Sequence, residues 1–332
     1  MEKKKIIIVM GISFLLLGTL GFIFNNKTVE ASRYLVKDGN LLQVNESLNS
    51  GKQITNNNNV QILFDEKSSK LLIGQGVKKS LEDSENQEQS TELYLINNDG
   101  SDSKKITEDS VSEAFLNNSG TKIYFVTKTK DLYEFDVVSG QKTLLKEKVF
   151  EATISYDESK IAYHKLNTDW QVGDYYEKAL GIAVLDLKTN IETQATNGPD
   201  HFFPIWTPDN SKIIFYAANE GGLVSQFVVD VDGKNKKQTT NIGQIYYSDK
   251  TVDHATGKPK WSPDGKVLVY ESDNKIWTND FTLGTDKVKT KKIGFGKEPQ
   301  WIDNSTLSLI ATDATNVKNS IIKVDKDGNI IK

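Results

Sequence analysis

Apolar residues in this chain fall in short unbroken runs, each entered through a turn. The clearest is Val267-Leu268-Val269-Tyr270, which follows Trp261 and the turn Ser262-Pro263-Asp264-Gly265. Consecutive apolar residues predict a strand buried on both faces, because a strand with one wet face alternates apolar with polar positions. The four turn residues suit a type I β-turn: Ser bonds back to the backbone, Pro presets φ, and Asp and Gly close it. The stretch from Lys258 to Ser272 therefore reads as a tight hairpin.

The phrase recurs. Pro204 to Phe215 repeats it through Trp206, and Glu298 to Leu309 repeats it through Trp301. Weaker copies run from Leu63 to Ile73, Phe115 to Phe125 and Ile154 to Tyr163. The residues leading into the apolar runs are Lys70, Lys122, Lys160, Lys212, Lys266 and Thr306, at intervals of 52, 38, 52, 54 and 40 positions. Their mean of about 47 suits one four-stranded propeller blade. In phase with them come second turns at Asp99-Gly100, Ser139-Gly140, Thr189-Asn190, Asp232-Gly233, Leu283-Gly284 and Asp327-Gly328. These read as two-residue hairpin turns with a residue at positive φ. Two hairpins per period predict an all-β, six-bladed β-propeller of four-stranded antiparallel blades. A further hairpin, with its turn at Asp38-Gly39, lies outside the six periods. It is expected to lend a strand to the last blade and so close the ring; the alternative is an incomplete seventh blade.

Trp261-Ser262-Pro263-Asp264-Gly265-Lys266 with Tyr270, the turn Val231-Asp232-Gly233, and Lys237-Gln238-Thr239-Thr240 together resemble the repeat of the TolB-like propeller family. The resemblance covers the chain from about Val60 to its end. It implies a fold rather than an activity, since such propellers host unrelated functions. It also implies one chemistry to weigh, because relatives such as oligogalacturonate lyases hold metal through channel histidines.

Composition then narrows the classes. The chain has 332 residues and no cysteine, which excludes disulfides, thiol nucleophiles and a lipid-modified N-terminal Cys. Lys3, Lys4 and Lys5 precede an apolar stretch from Ile6 to Phe24, and Val29-Glu30-Ala31 supplies small residues for cleavage. Residues 1–31 thus read as a signal peptide or a retained hydrophobic anchor helix, with the propeller at 32–332. Either places the body outside the cytoplasm, secreted or at the cell surface, touching membrane only through an uncleaved N-terminal segment. Residues 1–31 hold four Lys and two Glu, so the net charge of −4 becomes −6 for the rest. An acidic body excludes general nucleic-acid binding. Lys287, Lys289 and Lys291 read as guards on an exposed strand edge.

Two polar insertions interrupt the repeats. Lys78 to Thr91 has nothing apolar to bury and reads as a mobile loop. Lys165 to Gly181 carries Trp170, Tyr175 and Tyr176 among carboxylates. These rings are candidate contact anchors, or else fold back on their own blade. Tyr246 and Tyr247 extend the candidate surface. His201 and His254 each follow an Asp and precede a repeat Trp, so both are expected at the channel mouth, with His164 a weaker third. They could serve as base or ligands. No three-ligand spacing, nucleophile elbow or phosphate loop occurs, so no catalytic residue, metal or cofactor is expected. The expectation is a non-enzymatic binding module whose partner is an envelope or extracellular protein. The alternative is a channel-mouth hydrolase or lyase acting on a carbohydrate or small ester through His201 and His254.

Overall fold

The computed structural model describes residues 33–44, 51–56, 59–78, 89–171, 178–220, 224–239, 259–272, 275–312 and 317–331. The apolar N-terminal segment lies outside them. Among the described residues every regular element is a strand except one short helical turn at Lys178, and no helix is long and apolar enough to cross a membrane.

The strands fall into antiparallel sheets in chain order. The N-terminal sheet has three strands, β1 (Arg33–Lys37), β2 (Asn40–Val44) and β3 (Lys52–Gln53). The first sheet is β4 (Val60–Lys67), β5 (Lys70–Lys78), β6 (Gln89–Asn97) and β7 (Lys104–Thr107); the second is β8 (Val111–Leu116), β9 (Lys122–Thr127), β10 (Leu132–Asp136) and β11 (Lys142–Lys146). The third is β12 (Val149–Ile154), β13 (Lys160–Leu166), β14 (Ala179–Asp186) and β15 (Glu192–Gln194). The fourth is β16 (Phe202–Trp206), β17 (Lys212–Ala218), β18 (Val224–Asp230) and β19 (Lys237–Gln238). A seven-stranded assembly follows: β20 (Lys260–Trp261), β21 (Val267–Ser272), β22 (Lys275–Asp280), β23 (Lys289–Trp301), β24 (Thr306–Thr312), β25 (Val317–Asp325) and β26 (Ile330–Ile331). Within it β23 pairs with β22 over Lys289–Phe295 and with β24 over Gly296–Trp301. It therefore ends a fifth sheet and begins a sixth.

The unbroken apolar runs are explained by what meets each face. On β5, Leu71 and Ile73 pack against Tyr34 and Leu41 of the N-terminal sheet, whereas Leu72 packs against Leu116 and Phe125 of the second sheet. On β9, Ile123 and Phe125 face the first sheet, and Tyr124 and Val126 face the third. The alternation continues through Ile161/Ala162 on β13, Ile213/Ile214 on β17 and Leu268/Val269 on β21. A strand's period of two thus splits one run between two seams.

The repeated tryptophans tie the same seams. Trp206 Nε1 donates to the Thr153 carbonyl at 3.1 Å, Trp261 Nε1 to that of Trp206 at 2.9 Å, and Trp301 Nε1 to that of Lys260 at 3.0 Å. Each indole reaches back to the opening strand of the preceding sheet. The phrase's turn forms as expected, with Gly265 N–H bonded to the Ser262 carbonyl at 2.8 Å. Gly265 sits at φ 69°, and a Cβ there would come within 2.9 Å of Pro208 in the neighbouring turn, so two constraints select glycine.

Two details differ from the sequence reading. The second turns do carry a residue at positive φ, from 57° at Asn190 to 92° at Gly328, but they are longer than two residues. Gly140 N–H, for instance, bonds to the Asp136 carbonyl, four positions back. The N-terminal hairpin does not lend a strand to the last sheet either: β1 pairs with β2, and β26 with β25. Arg33 makes the connection instead, its Nη2 donating to the carbonyls of Glu298 at 2.6 Å and Ser308 at 3.2 Å.

Trp206 is 2% exposed, so Trp206→Ala is expected to cost about 3–5 kcal/mol. Trp261→Phe, which keeps a ring and loses the N–H donor, should cost only about 1 kcal/mol. Denaturant midpoints measure both, and equal losses would remove the seam-filling role.

Candidate functional site

The described residues enclose a cavity of about 590 Å³ where opening strands converge: Leu35 and Val36 of β1, Gln61 to Glu66 of β4, Lys260 and Trp261 of β20, and Glu298, Gln300 and Trp301 of β23. It adjoins the one seam that Arg33 spans. There the register breaks the apolar rule. Leu307 and Leu309 of β24 face the fifth sheet, while Ser308 between them bonds Arg33 through its Oγ at 3.3 Å as well as its carbonyl.

The charges here perturb one another. Lys260 is partly buried, and desolvation followed by the Arg33 guanidinium pushes its ammonium down to about 8, against the pull of Glu298, Glu66 and Asp65. Arg33 is 1% exposed, and burial lowers it to about 10 although Glu298 opposes the shift. Glu66 keeps open surface toward the cavity, yet protein atoms strip part of its hydration; with Asp65 beside it, its carboxyl rises above the usual range. Perturbed groups gathered in a cleft mark a candidate site on physical grounds.

Other buried carboxylates serve the backbone. Opening strands carry bulges, and Glu151, Phe203 and Glu298 stand there at φ 53°, 53° and 50°. Such geometry is strained for residues with a side chain. Each bulge N–H is held by a carboxylate from the preceding sheet: Glu151 N–H by Glu113 at 2.8 Å, Phe203 N–H by Glu151 at 2.7 Å, and Glu298 N–H by Glu271 at 3.0 Å. Asp65 similarly accepts the Leu116 N–H at 2.8 Å. Charged acceptors make strong bonds to such amides, and this accounts for Glu113 and Glu151 being buried.

Of the residues singled out in the sequence, Tyr175, Tyr176, Tyr246, Tyr247 and His254 lie outside the described residues. Trp170 is 7% exposed and packs on Phe150, Leu166 and Ala179, with its carbonyl bonded by Lys148 Nζ at 2.7 Å. Of the two readings left open for the insertion, Trp170 follows the second: this part folds back over its own sheet rather than facing outward. His201 is also buried, at 6% exposure, its ring 5.1 Å from that of Phe215 and its Nε2 3.4 Å from Lys236 Nζ. Burial, with Lys236 next in weight, lowers its pKa. The histidine close enough to influence is His164, fully buried and 3.7 Å from the Glu151 carboxylate, which burial and then His201 push down to about 4.

These histidines do not suit a metal ion. A cation bound at His201 Nε2 would meet the Lys236 ammonium, and among the described residues no three His, Asp or Glu side chains gather as ligands.

Solved structures with this architecture include the tricorn protease, with a TM-score of 0.62 and 11% identity over 89% of this chain and 32% of that one. The chain thus spans about a third of that protein's length. An oligogalacturonate lyase in complex with manganese aligns with a TM-score of 0.58 and 16% identity over 91% of this chain and 83% of that one. The β-propeller domain of the trilobed protease from Pyrococcus furiosus aligns at 0.53 and 12% identity over 80% and 82%. No known family profile matches the sequence, and no curated protein matches it. At these identities the likeness is one of fold alone: the chain is a β-propeller.

Burial lowers His164 to about 4 in the folded protein, whereas in the unfolded chain it protonates near the ordinary imidazole value of 6.5. Across that window the unfolded state binds more protons, so lowering the pH removes stability, by an amount on the order of 3 kcal/mol. Unfolding free energies measured from pH 7 to 4 should show a loss that His164→Gln reduces; an unchanged slope would reassign it to other groups.

Proposed function

We propose that this chain is an extracytoplasmic, non-enzymatic binding module. In this reading six four-stranded blades, with β23 shared between the last two, and the three-stranded N-terminal sheet as an incomplete seventh complete the ring. Residues 1–31 direct export or anchor the body at the membrane. The observation that carries the reading is the cavity beside the polar seam, walled by strands from four different sheets and holding Glu66, Lys260 and Gln300 on rigid backbone. Side chains fixed on strands lose little freedom on meeting a partner, which favours binding. The partner is an envelope or extracellular protein that places a polar or charged segment at this opening.

The test is capture from native envelope by the full chain and by Glu66→Arg, which fills the cavity and reverses its charge. A partner retained by the wild type should be lost at least about tenfold by the variant, the range of a disrupted interface contact. Equal capture by a folded variant would end the assignment of the cavity as the contact site.

The lyase reading draws support from the likeness to oligogalacturonate lyase along most of both chains. It requires chemistry that His201 and His164, buried among Phe215 and Phe150, are poorly placed to supply. Unsaturated product formed from oligogalacturonate with added manganese, and abolished by His201→Ala, would favour it over the binding module.

A further inference from the structure

Lys260 stands apart from the chain's other lysines. Many of those lie on turns or strand edges and are held by a nearby carboxylate, as Lys122 is by Glu134 at 2.8 Å and Lys291 by Asp327 at 2.7 Å. Lys260 lines the cavity from β20, and among the described residues no carboxylate approaches its Nζ within 4.0 Å. Its charged neighbours come from every strand around the cavity: Arg33 from β1, Asp65 and Glu66 from β4, and Glu298 from β23. Two of these are already engaged. Asp65 holds the Leu116 N–H, and Arg33 holds the carbonyls of Glu298 and Ser308. The amine thus faces open space beside a second cation and partly stripped of water. Both conditions favour the neutral, nucleophilic form of a lysine.

We infer that Lys260 is a covalent capture site for a small carbonyl compound, an aldehyde or ketone a few carbons long, which it binds in the cavity as an imine. A volume of about 590 Å³ leaves ample room for such a ligand. The Nζ lone pair attacks the carbonyl carbon, and the C=O π electrons move to oxygen, which takes up a proton while the nitrogen gives up one of its two, to give a neutral carbinolamine. The hydroxyl then leaves as water after a second protonation, the nitrogen lone pair forms the C=N bond, and the nitrogen's remaining proton is released. Carbonyl and amine become imine and water with no oxidant or reductant. Glu66, open to the cavity with its carboxyl raised toward neutrality, is the side chain that can give and take these protons. The inference needs the cavity to admit small solutes. It does not need a protein partner, so it stands or falls separately from partner capture.

The test uses the full chain with propionaldehyde and sodium cyanoborohydride at pH 7, followed by peptide mapping in a mass spectrometer. With its ammonium lowered to about 8, Lys260 should be alkylated at least about tenfold faster than the exposed Lys188, since far more of it is neutral. Its labelling rate should level off above about pH 8. Lys260→Arg should abolish this fast adduct with the near-ultraviolet circular dichroism unchanged. Because the wild-type map reads all lysines at once, a variant that failed to fold would leave the comparison intact. Lys260 labelled no faster than Lys188, or at a rate still climbing steeply above about pH 9, would overturn the inference.

Discussion

The structure depends on the second strand of each sheet having no solvent face. Strands such as β9 and β13 send alternate side chains to different neighbours, so each sheet is apolar on both sides and buries both only when flanked. The core is consequently a series of seams, none of which is stable alone. The tryptophan indoles add direction, since each closes its seam by a bond to the backbone of the sheet before it. Burial supplies most of the stabilisation, and these bonds fix how neighbouring strands register.

One seam departs from this rule, and the cavity lies there. Between the sixth and N-terminal sheets a buried guanidinium and Ser308 take positions that apolar side chains fill elsewhere. Open space lies beside these groups, and their charges modify each other. Elsewhere around the ring the carboxylates are committed. Glu113, Glu151 and Glu271 secure strained bulges, and replacing any of them would first be felt by the backbone. Glu66 and Lys260 carry no such duty among the described contacts.

Much of the architecture was legible because it is local. The Ser262–Gly265 turn, the paired apolar runs and the repeated Trp positions depend on neighbours within a dozen residues, and all appear where the pattern puts them. What escaped depends on distant pairings. Arg33 meets Glu298 across 265 positions, and no spacing rule joins them. Lys260 reads as one more lysine before a tryptophan until strands from four sheets surround it. Trp170 was left undecided for a related reason. A ring in a polar loop looks exposed by composition, while its burial depends on Phe150 and Ala179, which lie outside the loop's polar stretch. The register of the N-terminal hairpin was likewise a choice between two tertiary outcomes that its own residues could not decide.

The thirteen residues of β23 have a mechanical meaning. At the β7–β8, β11–β12 and β15–β16 junctions, by contrast, the sheets are joined by connecting segments outside the ladders. Along β23 the polypeptide passes from one sheet into the next inside hydrogen-bonded structure, bending at a bulge near Glu298 and Pro299. The fifth and sixth sheets are therefore yoked through one continuous strand. Toward the N-terminal sheet no strand is shared among the described residues, and the Arg33 guanidinium makes the join instead.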